Sequence, residues 1–204
     1  TADVNYAEAL GYRIKHLGVA RRTENGVELR VHPTLIPADR LIANVNGVMN
    51  AVMVHGDAVG STLYYGAGAG AEPTASAVVA DIIDVVRTLT TDPTNRVPHL
   101  AFQADALSDL PVLPVDEVET AYYLRLHAQD RPGVLAKVAT ILSERGINIE
   151  SIMQKDVEEQ DGLVPMILLT HRVREQNMND AIAALESLED IAGPLMRIRV
   201  EQLD

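Results

Sequence analysis

The spacing of apolar residues divides the chain into segments of changing period. Residues 3–12, DVNYAEALGY, put Val4, Ala7 and Leu10 on one helical face, and Gly11 ends the pattern. From Tyr12 to Ala20 the period shortens to two, as in a strand. Arg21–Gly26 carries an Asn-Gly turn and Val27-Glu28-Leu29-Arg30-Val31 alternates on the return, so a hairpin is predicted. His32–Pro37 stays extended, because each proline biases its predecessor away from helix. Leu41–Asn50 reads as a helix carrying Asn44, Asn46 and Asn50. If buried, their amides need partners, from a structural network or from a substrate. A second hairpin runs from Ala51–His55 through Gly56-Asp57 to Val59–Tyr65. Together these strands predict a mixed sheet with one covered face.

The next stretch, Tyr64 to Leu89, changes character. Gly66, Gly68 and Gly70 alternate with alanines, Pro73-Thr74 follows, and Val78, Ile82, Val85, Val86 and Leu89 recur at helical spacing. Thr74 is the predicted N-cap, its hydroxyl accepting a first-turn N–H. A strand thus enters a glycine loop and the loop enters a helix. Such a loop can bring backbone amides to an anion or a flat ring, or it can be a tight packing turn. It is not a Walker loop, since no Gly-Lys-Ser/Thr follows, and it is not the dinucleotide fingerprint G-x-G-x-x-G. It does not carry the main binding fold of a nucleotide.

From Thr88 to Glu119 the periodicity fails. Pro93, Pro98, Pro111 and Pro114, interleaved with acids, describe a linker with a short turn at 103–109. Residues 120–204 then spell βαββαβ. Tyr122–Ala128 is a strand, and Asp130-Arg131-Pro132-Gly133 is a turn with proline just before a helix. Val134, Leu135, Val138, Ile141 and Leu142 form that helix's apolar stripe, closed by Gly146. Strands at Asn148–Lys155 and Leu163–Val173 flank a polar turn at Glu158–Gly162. Ala181, Ile182, Leu185 and Leu188 mark a second helix, and Pro194–Val200 the last strand. Two helices on one face of four antiparallel strands make a ferredoxin-like sandwich. The fold class is α+β, with boundaries at 1–90, 91–119 and 120–204.

Composition narrows the function. No cysteine is present among 204 residues, which removes disulfides, thiol catalysis and zinc–thiolate sites and fits the cytoplasm. The net charge is −12, and 88–119 holds one basic side chain against six acidic ones. Without a basic stripe, and with 3% aromatic residues, nucleic acid is not an expected partner. No apolar run reaches the ~20 residues of a membrane span. The start, Thr1-Ala2-Asp3, lacks a signal peptide and is expected to be a cut within a longer protein. Lys15 and His16 lie on a strand beside Arg13, where a solvated face outweighs a catalytic pair. His32 and His55 lack ligand spacing, so no metal is assigned.

Two resemblances add to this. DRPGVL at 130–135 and GINIESI at 146–152 resemble the ACT domain family over all of 120–204. In that family amino acids bind where the first strand-to-helix loop of one copy meets the second strand of a partner. The resemblance implies a regulatory site at Asp130, Arg131, Gly133, Val134, Asn148 and Ile149. A purely dimerising domain with an empty site is the other reading. YAEALGYRIKHLGVA at 6–20, RVHPTLIP at 30–37, NVNGVMNAV at 44–52 and the glycine loop with PTASAVVADIIDV at 73–85 resemble the homoserine dehydrogenase family. This implies the later part of a catalytic domain, with the family's Rossmann half, catalytic lysines and cation site upstream of Thr1. It also implies NAD(P) in the full-length enzyme, none bound by this chain alone, and cofactor-side contacts from Gly68, Gly70 and Thr74. A homo-oligomer and a small amino acid, threonine by pathway logic, are the implied partners. The alternative is a stand-alone amino-acid-binding or dimerisation module.

Overall fold

The elements run α1 (Ala2–Ala9), β1 (Tyr12–Thr23), β2 (Gly26–Pro37), β3 (Met49–Gly56), β4 (Gly60–Ala67) and α2 (Ala71–Thr88). They continue with β5 (Glu119–Gln129), α3 (Val134–Glu144), β6 (Ile149–Gln154), β7 (Leu163–Thr170), β8 (Val173–Arg174), α4 (Glu175–Glu186) and β9 (Ile191–Val200). The computed structural model describes residues 2–89, 91–92, 101–154 and 162–203. Pro93, Pro98 and Lys155, with most of the turn expected at Glu158–Gly162, lie outside the described residues.

β5 is the centre of the larger sheet because its side chains are buried on both faces. Tyr122, Leu124, Leu126 and Ala128 point to the helices, where α3 supplies Val134, Val138 and Leu142 and α4 supplies Met178, Ala181 and Leu185. The spacing of four along α3 makes one stripe, and burying each Leu or Val side chain contributes about 1.5–3 kcal/mol. Gly146, at φ +70°, ends α3 by a Schellman closure in which Ile147 N–H donates to the Leu142 carbonyl at 3.0 Å. Ala121 and Tyr123 point to the other face and pack with Ala7 of α1, Leu35, Ile167, Leu169 and Ile198. The sheet order is β1-β2-β9-β5-β7-β6, with β8 paired to β5. Within it β9-β5-β7-β6 is the expected ferredoxin-like arrangement. β2 pairs parallel with β9 at Thr34–Arg199 and Leu35–Val200, and the other neighbours are antiparallel, so the sheet is mixed.

This pairing changes the expected grouping. Residues up to Ala43 form one unit with Leu110 onward, while Asn44–Asp109 form a second. The later part of the expected linker is also structured. Val27 N–H donates to the Pro111 carbonyl at 2.9 Å and Leu113 N–H to the Val27 carbonyl at 3.0 Å, strapping this segment to β2. Gly26 is needed there, since a Cβ would stand 2.3 Å from the Pro111 oxygen.

β2 alternates as expected, yet its polar members face inward. Glu28, Arg30, His32 and Thr34 are buried, whereas Leu29 and Val31 are exposed. The buried set is held electrostatically: Arg30 Nη2 donates to Glu201 Oε1 at 2.6 Å and Arg21 Nη2 to Glu201 Oε2 at 3.0 Å. Burial lowers the His32 pKa, and the Arg199 and Arg30 cations add to this against the Pro33 carbonyl bound at its Nδ1.

In the second unit β3 and β4 form an antiparallel hairpin from Met49–Ala67 to Gly56–Gly60. The helix expected over Leu41–Asn50 is instead one 3₁₀ turn at Leu41–Asn44, a loop through Gly47 at φ +63°, and the start of β3. Asparagine side chains compete with helical bonding: Asn46 Nδ2 donates to the Asn44 carbonyl and Asn50 Nδ2 to the Val48 carbonyl. α2 begins at Ala71, three residues before the expected cap, and none of its residues is buried.

Candidate functional site

The DRPG turn opens a pocket of about 310 Å³ between β5 and α3, lined by Asp130, Arg131, Gly133, Val134 and, from the sheet, Gln154 and Met166. Four of the six residues expected at a regulatory site therefore come together. Gly133 sits at the N-cap of α3 with φ +93°, a left-handed conformation that favours glycine, and carries no side-chain cap. The first-turn N–H groups of α3, which a helix leaves without internal partners, belong to this wall.

Two residues that local reasoning missed set the charge. Asp190, just before β9, is buried, and its carboxylate binds both Lys137 Nζ at 2.6 Å and the Arg131 guanidinium. Those hydrogen bonds, from Lys137 first and Arg131 second, hold the Asp190 carboxyl below its ordinary range. Both cations remain about half exposed, at 57% and 53%, so they stand at the rim, ordered by a buried counter-ion yet open to a second anion. Lys137 was findable, one turn into the helix after Pro132. Asp190 was not, since nothing near it in sequence refers to the turn.

Asn148 and Ile149 lie elsewhere. Ile149 opens β6 and Asn148 precedes it, while the other end of the strand supplies Gln154 to the pocket, so Ile149 stands roughly 17 Å away at the rise of a strand and Asn148 further still. Asn148 is exposed and its carbonyl accepts from His171 N–H at 2.9 Å. β6 is an edge strand.

In the second unit, Gly68 and Gly70 lie in the turn between β4 and α2, and Thr74 in the first turns of α2. Gly70 is the N-cap at φ +127°. Thr74 is not the cap: it lies inside the helix and its N–H donates to the Gly70 carbonyl at 3.1 Å. Pro73 is accommodated in the first turn, where its missing N–H has no helical acceptor. At Gly68 a Cβ would stand 2.0 Å from Asn50 Nδ2, so a larger residue there would have to displace that exposed side chain, whereas Gly66 has nothing within 4 Å. As a seat for NAD(P) the loop does not fit alone. Pro73 withdraws one amide and Glu72 places an acid in the first turn, which opposes a phosphate. Among the described residues no cluster of three or more His, Asp or Glu could hold a metal, and no helix is long and apolar enough to cross a membrane.

Comparison with known proteins divides the chain in two. Residues 1–83 match the homoserine dehydrogenase family model and residues 122–190 the ACT domain model. The whole chain is 80% identical to part of a homoserine dehydrogenase of Pseudomonas aeruginosa, covering 47% of it. It is 54% identical over 201 residues to that of Neisseria gonorrhoeae, covering 46%. A crystal structure of a homoserine dehydrogenase from Thiobacillus denitrificans superposes on all of the chain with TM-score 0.90 at 63% identity, covering 46% of that protein. The chain thus spans about half the length of the relatives it matches.

Proposed function

From the match of residues 1–83 to homoserine dehydrogenases and of residues 122–190 to ACT domains, we propose that the chain is the sensor-bearing part of such an enzyme. The whole enzyme would interconvert L-homoserine and L-aspartate 4-semialdehyde with NAD(P), in the cytoplasm. This chain has neither a dinucleotide fingerprint nor a metal cluster among its described residues, and its role is regulatory. The observation that carries this reading is the Arg131 pocket. A buried counter-ion orders two cations beside the open N-terminus of α3, an arrangement suited to an amino acid's carboxylate. The ammonium is assigned to Asn148, through its side-chain oxygen. The span along β6 keeps Asn148 out of reach within one chain, so the complete site takes Asn148 from a second copy, and the working form is a homo-oligomer. Threonine fits as the ligand, its small side chain lying towards Ile149 and Ile152. The stand-alone module is the weaker reading, because an 80% identical relative carries the same segment within an enzyme of about twice the length.

Threonine is expected to raise the melting temperature of the assembled chain. Binding to the folded state alone stabilises it by about 2.7 kcal/mol at ~100 times the Kd. Asn148→Ala should remove most of that shift and leave the unliganded melting point nearly unchanged. Calorimetry showing no heat with millimolar threonine, on material proven oligomeric by light scattering, would reduce this half to an assembly module. The isolated chain should show no homoserine oxidation with NAD or NADP. Turnover from a preparation of verified 22.1 kDa mass would refute the division of labour.

A further inference from the structure

A second cavity, of about 150 Å³, lies where Val200 and Glu201 leave the sheet beside the start of β5. It shares no lining residue with the Arg131 pocket, and the ten residues of β9 separate it from Asp190. Its lining includes Arg21 and Arg172, Glu119 and Glu201, Thr120, Ala121 and Val200.

Its chemistry is unusual for a packing defect. Thr120 is 2% exposed and lies beside the Tyr122 phenol, but its Oγ1 makes no hydrogen bond of good geometry. Arg21 Nη1 is buried without a hydrogen bond, and its neighbour Glu28 Oε2 stands 3.7 Å away, too long for one. With Arg30 Nε, these four are the buried side-chain polar atoms without a hydrogen-bond partner among the described residues. Two of the four belong to residues lining this cavity, and the other two to residues ion-paired with its walls. Buried polar atoms are almost always satisfied, so their gathering at one place marks a site built for polar contacts.

We propose that this cavity is a second small-molecule site, and that it takes a small zwitterion with a carboxylate at one end and an ammonium at the other. Its volume is well under the ~300 Å³ at which sites for larger ligands begin. Two guanidinium groups and two carboxylates cancel formally, so neither a net anion nor a net cation is favoured. Arg21 and Arg172 donate to a carboxylate, and Glu119 and Glu201 accept from an ammonium.

The test titrates glycine, acetate and methylamine into the full chain and follows backbone amide shifts by NMR. The same titrations on Arg131→Ala separate this site from the pocket of the proposed function. Glycine should shift Thr120, Ala121 and Gln202 in both proteins, and acetate or methylamine should bind each at least about tenfold more weakly. Arg172 is exposed, so Arg172→Ala should keep the melting temperature while weakening the glycine shifts by about tenfold or more. Shifts confined to residues 129–135, acetate binding as tightly as glycine, or an Arg172→Ala protein that binds glycine unchanged would each overturn the proposal. In the unsubstituted chain, shifts at Thr120 and Ala121 without any at residues 129–135 would instead count against the regulatory pocket.

Discussion

Tyr122 and Tyr123 are neighbours in sequence, both fully buried, and they make the same kind of contact on opposite faces of one sheet. On the helical face the Tyr122 hydroxyl donates to Glu175 Oε2 at 2.6 Å. Glu175, the first residue of α4, also takes Arg199 Nε at 2.9 Å and Nη2 at 2.6 Å, with Arg197 at 3.0 Å. On the other face the Tyr123 hydroxyl donates to Asp3 Oδ1 at 2.9 Å, and Arg125 grips the same carboxylate at 2.6 and 3.1 Å. The chemistry is alike and the burial is not: the Glu175 side chain is 2% exposed and that of Asp3 14%. Burial opposes ionisation of both carboxylates, but the arginine and tyrosine hydrogen bonds outweigh it, and both pKa values fall below the ordinary range. The phenols move the other way. Burial, then Glu175, pushes Tyr122 up to about 12, and burial with Asp3 pushes Tyr123 up as well. The first cluster builds the ferredoxin-like fold from within, whereas the second docks α1 onto a fold that is already closed.

Three measurements bear on that contrast. Acid should have the largest effect, because it reaches both clusters. Each folded pKa is depressed, so each contribution is complete above the ordinary values of 4.5 and 3.8 and is lost as pH falls through the folded ones. Urea midpoints should hold between pH 7 and 5 and then drop steeply; a flat profile to pH 3 would mean neither carboxylate matters to stability. Glu175→Ala comes next. It strands Arg199 and the Tyr122 hydroxyl, and breaking a buried pair in this way costs about 3–5 kcal/mol. Asp3→Ala should cost less, about 1–3 kcal/mol, since water can reach the freed Arg125. Equal losses for the two variants in denaturant unfolding would erase the difference between the faces.

Much of the helical face was legible in the sequence. The βαββαβ order, the stripe through Val134, Val138 and Leu142, and the Gly146 stop are local patterns with local causes. The other face was not, because the β2–β9 pair joins Thr34 to Arg199 across most of the chain, and no period records such a partner. Alternation identified β2 as a strand, but not that Glu28 and Arg30 would face inward, which depended on Glu201. The site divides the same way. Asp130 to Val134 were readable as a turn before a helix, while Asp190 needed the fold to bring it to Arg131. Thr74 matches the N-cap preference, yet Gly70 can adopt φ +127° and Pro73 fits the first turn, so the helix starts earlier. At Leu41–Asn50 the apolar spacing outvoted the asparagines, and their side-chain bonds to the backbone decided otherwise.

The inward-facing charges of β2 bear on how this protein is made. A ribosome adding roughly 5–20 residues per second completes the β1–β2 hairpin on the order of 10 s before it delivers β9. Throughout that interval one edge of the hairpin is an open template for any passing strand. Were its inner face a row of valines, the nascent chain would carry a sticky ribbon through its own synthesis. Arg21, Glu28, Arg30 and His32 instead keep that face hydrated until Glu201, one residue beyond the strand that closes the sheet, arrives to neutralise it. A strand synthesised later thus brings with it the counter-charge for one made earlier.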